Sequence, residues 1–216
     1  MTLRRALRRT VAGAGAALLV LSGVALAPSA SARPTGTTSL ADVLAADGDT
    51  FDRNGYDFDV LDQAVAAVLE AKPSSPVAVL ADGTVPLTAF LPNDRAFRLL
   101  AFDLTHRWPR TEQKALEAIA GAAGIDGVEQ VLLYHVVPGT TITARTALRS
   151  DGAVLTTAQG GTVKVDVISR WLPLVRLVDK DRDDLDPFLV RRALDLNKGN
   201  VQIAHGISAV LRPVDL

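Results

Sequence analysis

The chain has 216 residues, 48% of them hydrophobic and 22% charged, with a formal net charge of −1. That length and apolar content allow a substantial core and exclude collagen-like, coiled-coil and globally disordered chains. A charge near zero gives no basic face for nucleic acid, and the absence of cysteine excludes disulfides, thiolate metal sites and a cysteine nucleophile.

Arg4, Arg5, Arg8 and Arg9 open the chain, an apolar run from Val11 to Ala27 follows, and Ala30-Ser31-Ala32 offers an A-x-A cleavage site. Basic, then apolar, then small is the order of a secretory leader, so residues 1–32 are expected to be removed. The apolar run is short for a membrane span of about 20 residues. The paired arginines leave both the general and the twin-arginine export routes open. Without the leader's four arginines the chain keeps 19 basic against 24 acidic residues, a charge near −5.

Residues 33–38 read as a flexible tether and 39–216 as one domain. Ser39 is placed to cap a short helix through Leu40, Val43 and Leu44. Asp47 to Asp59 is an Asp- and Gly-rich loop anchored by Phe51, Tyr56 and Phe58. Asp59 and Asp62 have the spacing of a capping box, and Leu61, Val65, Val68 and Leu69 give the following helix one apolar stripe. Pro73-Ser-Ser-Pro76 ends it. Val77 to Leu80 and Leu87 to Leu91 read as short strands about the turn Asp82-Gly83. Pro92-Asn93-Asp94 turns the chain into a helix bearing Ala96, Phe97 and Leu100. Thr111 caps the next, which stops at Gly124, and Asp126 with Glu129 opens another carrying Val128, Val131, Leu132 and His135 on one face.

Beyond Pro138-Gly139 the period changes to two: Val163, Val165 and Val167 alternate with Lys164 and Asp166. Leu174 to Val178 is a further strand, and Gly160-Gly161 suits a hairpin turn. Residues 169–199 read as a charged insertion. Val201, Ile203, Ile207, Ala209 and Leu211 share one parity as the last strands. Helices gather early and strands late, which defines an α+β single domain.

Three segments carry a resemblance. Thr88-Ala-Phe90-Leu-Pro92-Asn93-Asp94-Arg-Ala96-Phe97 is similar to the first motif of the fasciclin (FAS1) family. Leu132 to Gly139, with Tyr134 and His135, resembles its central Tyr-His segment. Asn200 to Pro213, with His205 and Ile207, resembles its second motif. The three stand in family order across roughly 39–216, and the chain looks like a secreted bacterial member. Two departures from the pattern are Gly199 ahead of Asn200, and Ser208 where an acid often stands. The resemblance implies a wedge-shaped β-sandwich with flanking α-helices, a structural role for the motif residues, and a non-enzymatic adhesion module that takes no cofactor. Its partner would be a cell-surface or matrix protein or glycan; the charge speaks against nucleic acid, and no membrane span is expected once the leader is cleaved. Weak self-association is compatible with this, and the place would be extracellular, in solution or on the cell wall.

Chemistry read from the residues themselves is sparse. His135 and His205 suit either a metal or acid/base pair, or two buried rings tying backbone groups together. The second reading is favoured, because no acid or His at i+3 or i+4 completes a ligand set. Asp179, Asp181 and Asp183 have the D-x-D-x-D spacing of a calcium loop, but its sixth and twelfth positions are Asp184 and Val190. Hydrolase and phosphate-loop templates fail. Trp171 with Asp181, Asp183, Asp184 and Asp186 is the candidate interaction surface. The alternative function is binding of a small ligand or calcium.

Overall fold

The computed structural model describes residues 35–214 apart from 49, 182 and 183, so the expected leader, Asp183 and the chain's last two residues lie outside the described residues. Four helix starts follow from side-chain caps. Ser39 closes a capping box on α1 (Leu40–Asp47), with Ser39 Oγ accepting from Asp42 N and the Asp42 carboxylate accepting from Ser39 N. Asn93 Oδ1 accepts from Ala96 N at 3.0 Å and starts α3 (Asp94–Thr105). Thr111 Oγ1 accepts from Lys114 N at 3.2 Å and starts α4 (Glu112–Tyr134). Thr143 does the same for the short α5 (Ala144–Ala147).

Elsewhere local signals were overridden. α2 (Asp59–Ala71) is capped by Phe58 with no side-chain bond. Phe58 packs against the core and takes the cap position, so the expected Asp59–Asp62 box does not form. Val77 to Leu80, expected as a strand, is part of a 3₁₀ turn, Pro76–Ala81. Pro76 presets the first helical residue, Ser75 Oγ accepts from Val77 N, and the three-residue period puts Val77 and Leu80 on one buried side. The stop expected at Gly124, by contrast, is present: φ 68° and ψ 172° are not helical, so α4 is two helical segments joined at this residue. The expected Asp126–Glu129 box is absent, because Glu129 bonds instead to Lys72 and Ser75 across on α2's end.

There are two three-stranded sheets among the described residues. In the first, β1 (Leu87–Pro92) is central, antiparallel to β2 (Val136–Pro138) and parallel to the last strand, Gln202–Ile207. The second is a meander of β3 (Val154–Thr156), β4 (Thr162–Ser169) and β5 (Leu174–Val178). Gln202–Ile207 is thus β6. Leu87, Ala89 and Leu91 face a helical core with Leu61, Val68, Phe97 and Leu132. Phe90, Val137 and Ile207 join Val163, Val165, Val175 and Leu177 in a second cluster shared by the two sheets. The first sheet is therefore covered on both faces, and β1 and β6 are buried at every position. This is the reason the parity expected for the last strands does not hold: one strand ends at Ile207, and Ala209 and Leu211 follow outside it.

Two expectations about loops need correction. Residues 35–38 of the expected tether are laid along the chain near Asn200, with Gly36 N donating to Gly199 O at 3.1 Å and Val201 N to Gly36 O at 2.9 Å. Within residues 169–199 the strand expected at Leu174 to Val178 is β5, and the polar stretch after it does not stand off as an excursion. Leu189 N donates to Val175 O at 3.0 Å and Val190 N to Gly206 O at 2.7 Å, so this stretch bridges the two sheets.

Candidate functional site

The motif residues serve buried backbone groups. His135 terminates α4, its Nδ1 2.7 Å from Val131 O, and its Nε2 accepts from Leu211 N at 2.9 Å. Because Nε2 accepts, the proton sits on Nδ1 and the ring is neutral. Burial holds the His135 pKa down to about 4. His205 is the mirror case: Nδ1 accepts from Asp195 N at 3.2 Å and Nε2 meets Ile142 O at 2.7 Å, so the proton sits on Nε2. Burial lowers its pKa as well. Every ring nitrogen is engaged, which leaves neither histidine a lone pair for a metal or a substrate proton.

Thr88 Oγ1 donates to Thr140 O and accepts from Ile142 N, both at 2.8 Å. Tyr134 is fully buried with its hydroxyl donating to Thr162 O at 2.7 Å, and burial followed by the charge of Asp179 pushes its pKa up to about 12. Asn200 Oδ1 accepts from Thr38 N at 3.0 Å. Phe90, Pro92, Asn93, Ala96, Phe97, Ile207 and Pro213 are all buried. Sequence reasoning missed Gln202, wholly buried, which accepts from Leu40 N and donates to Val79 O and Asp82 O, each at 2.8 Å. Its place inside the last motif was the available signal.

The candidate surface residues separate. Trp171 is 96% exposed, at the turn between β4 and β5. Asp181 and Asp184 point the other way, to the buried Arg212: its Nη1 lies 3.5 Å from Asp181, its Nε 3.1 Å from Asp184, and its Nη2 2.6 Å from Asp103. Arg212, which no sequence pattern singled out, needs these carboxylates because it is buried. Asp186 lies 3.7 Å from Arg176, which also forms a two-nitrogen contact with Asp166 Oδ2. Burial raises Asp179 to about 7 and Asp184 to about 6, against the lowering influence of the Arg212 backbone N–H and guanidinium respectively. The D-x-D-x-D stretch is thus a partly buried anchor for Arg212, as far as its described residues go.

The outer face of the second sheet mixes exposed apolar side chains with charged ones, Lys164 and the Asp166–Arg176 pair. On β4, Val163 and Val165 face the core, while Lys164 and Ile168 face out. Val154, opposite Lys164, and Phe188, opposite Arg176, lie on that same outer side, and Leu172 follows Trp171 in the turn.

The helices on one face of a mixed sheet, the second sheet on the other, and polar residues spent on backbone groups define an α+β module held by its interior. The model of the Fasciclin domain matches residues 61–183, more than half of the chain, and the chain belongs to the fasciclin domain family. That match ends before the Asn200–Pro213 segment. Among solved structures the chain is similar to the FAS1 domain pair of the insect cell adhesion molecule fasciclin I, at 15% identity and TM-score 0.49, over 72% of this chain and 48% of that one. The chain spans about half the length of that domain pair. No curated protein matches it.

Proposed function

We propose that this chain is a secreted, non-enzymatic adhesion module that attaches to a cell-surface or matrix protein or glycan through the β4–β5 turn and the outer face of the second sheet. Fasciclin domains are associated with cell adhesion in homologues. The observation that carries the reading is Trp171 at 96% exposure, with Leu172 at 66% beside it. A side chain of that apolar area held in water is unfavourable unless a partner covers it, and Trp is the residue most often found at binding hot spots. Export is supported by the order of residues 1–32. Among the described residues no helix is long and apolar enough to cross a membrane.

The test is co-sedimentation of the purified protein with the producing organism's envelope fraction. Trp171→Ala combined with Leu172→Ser is expected to abolish saturable binding while far-UV circular dichroism stays native. Binding that survives this pair of substitutions in a folded protein overturns the reading.

A further inference from the structure

Asp59, Asp94 and Glu112 are the first residues of α2, α3 and α4, and the fold brings these helix starts together. All three are buried, and one carboxylate oxygen from each lies within 4.8 Å of the others. The loop before α2 adds Asp52 and Asp57, which satisfy the same limit with Asp59. Backbone bonds fix the loop there: Asp94 N donates to Asp57 O at 3.1 Å, Arg95 N to Gly55 O at 3.0 Å, and Asp52 N to Glu112 Oε2 at 2.8 Å.

A second observation distinguishes this from an ordinary acidic patch. Asp94 is 0% exposed; its Oδ1 accepts from Val60 N at 2.9 Å, but its Oδ2 has no hydrogen-bond partner. Oδ1 of neighbouring Asp57 is likewise buried and without one. Burial, and next a carboxyl–carboxylate hydrogen bond with Asp57 that a shared proton would make, push Asp94 up to about 8. Orphaned carboxylate oxygens inside a protein are strongly unfavourable unless a cation or a proton joins them. Three helix N-termini and Arg98, whose charge reaches Glu112, offset part of the repulsion.

The geometry points to a calcium site formed by Asp52, Asp57, Asp59, Asp94 and Glu112. The donors are all hard oxygens with no histidine or sulfur, which selects calcium, magnesium or manganese over zinc and copper. Carboxylates supplied partly by an irregular loop suit the six to eight ligands and loose geometry of calcium better than the tight octahedron of magnesium. No linear calcium-loop pattern marks the site, because its ligands come from one loop and three helix starts. It shares no residue with the Trp171 surface, so the two readings stand or fall separately.

The test is calorimetric titration of calcium into EDTA-treated protein, with melting temperatures in millimolar calcium, millimolar magnesium and EDTA. The expected result is one saturable site and a higher melting temperature in calcium than in magnesium or EDTA. Asp94→Asn and Glu112→Gln should each weaken calcium by at least about tenfold, which is about 1.4 kcal/mol, while Asp186→Asn binds as the parent does. Equal melting temperatures with no binding heat overturn the proposal, as do unchanged affinities in both variants. Should neither variant fold, the parent titration decides alone. A proton shared by Asp57 and Asp94 is the competing occupant; it gives no calcium response, and Asp94→Asn is then more stable than the parent at pH 8 even in millimolar calcium, which also overturns the proposal.

Discussion

His135→Phe removes two interactions at once while keeping a ring in the core. Leu211 N, now donating to Nε2 at 2.9 Å, and Val131 O, now 2.7 Å from Nδ1, both lose their partner in a buried setting. Each orphaned group costs about 1–3 kcal/mol, so the substitution should destabilise by about 2–5 kcal/mol at pH 7. The parent carries its own penalty in acid. His135 has an ordinary value of 6.5 and is held at about 4 in the fold, so it is neutral in the native state while the unfolded chain takes up a proton. A depressed value of this kind means stability is intact above pH 6.5 and is lost as the pH falls toward 4. At about 1.4 kcal/mol per unit, the loss from this one ring is about 3 kcal/mol at pH 4. Protonation would also set an N–H against the Leu211 N–H. Urea unfolding of both proteins at pH 7 and pH 4, followed by circular dichroism, cancels every other titrating group. The gap between parent and variant should shrink by about 3 kcal/mol from pH 7 to pH 4. A gap equal at the two pH values refutes the neutral, doubly bonded ring.

Asp179, raised to about 7 chiefly by burial, predicts the opposite slope: its native state keeps the proton longer than the unfolded chain does, so its contribution declines as pH rises from about 4 to about 7. Asp179→Asn should flatten that part of the stability-against-pH curve. Arg212→Met strips Asp181 and Asp184 of their buried counter-charge and should cost about 3–5 kcal/mol, read from urea midpoints. Gly161→Ala places a Cβ 2.7 Å from the ring of Tyr134, so a loss of about 1–3 kcal/mol is expected, relieved in part by Tyr134→Leu in the double variant. Trp171→Ala, by contrast, should leave the melting temperature within about 2 °C of the parent, since that side chain makes no core contact.

Much of the local structure was legible because it is local. Ser39, Asn93 and Thr111 each bond within three residues of their own position, so sequence spacing alone specifies those helix starts. The alternation of Val163, Val165 and Val167 likewise marks a strand with one face in the core and one in water. The motif segments also placed the chain in its family before any contact was known. Sequence reading went astray where a distant partner outweighed a neighbour. Glu129 is spaced to cap its own helix, but the chain brings Lys72 and Ser75 to it, and their bonds prevail.

The sequence by itself determined composition, most helix starts and the family motifs. Only tertiary structure decided that β1 lies parallel to β6, a pairing whose residues stand far apart along the chain and leave no local trace. It likewise turned Asp181 and Asp184 inward to Arg212 while leaving Trp171 in water, and it brought Asp59 up against two sets of acids, Asp52 with Asp57 from one loop and Asp94 with Glu112 from two other helix starts. The physical reason is the same in each case. Caps and alternation are satisfied within a few residues, whereas buried charge must be matched by whatever the fold brings within a few ångströms, and that partner carries no fixed sequence spacing.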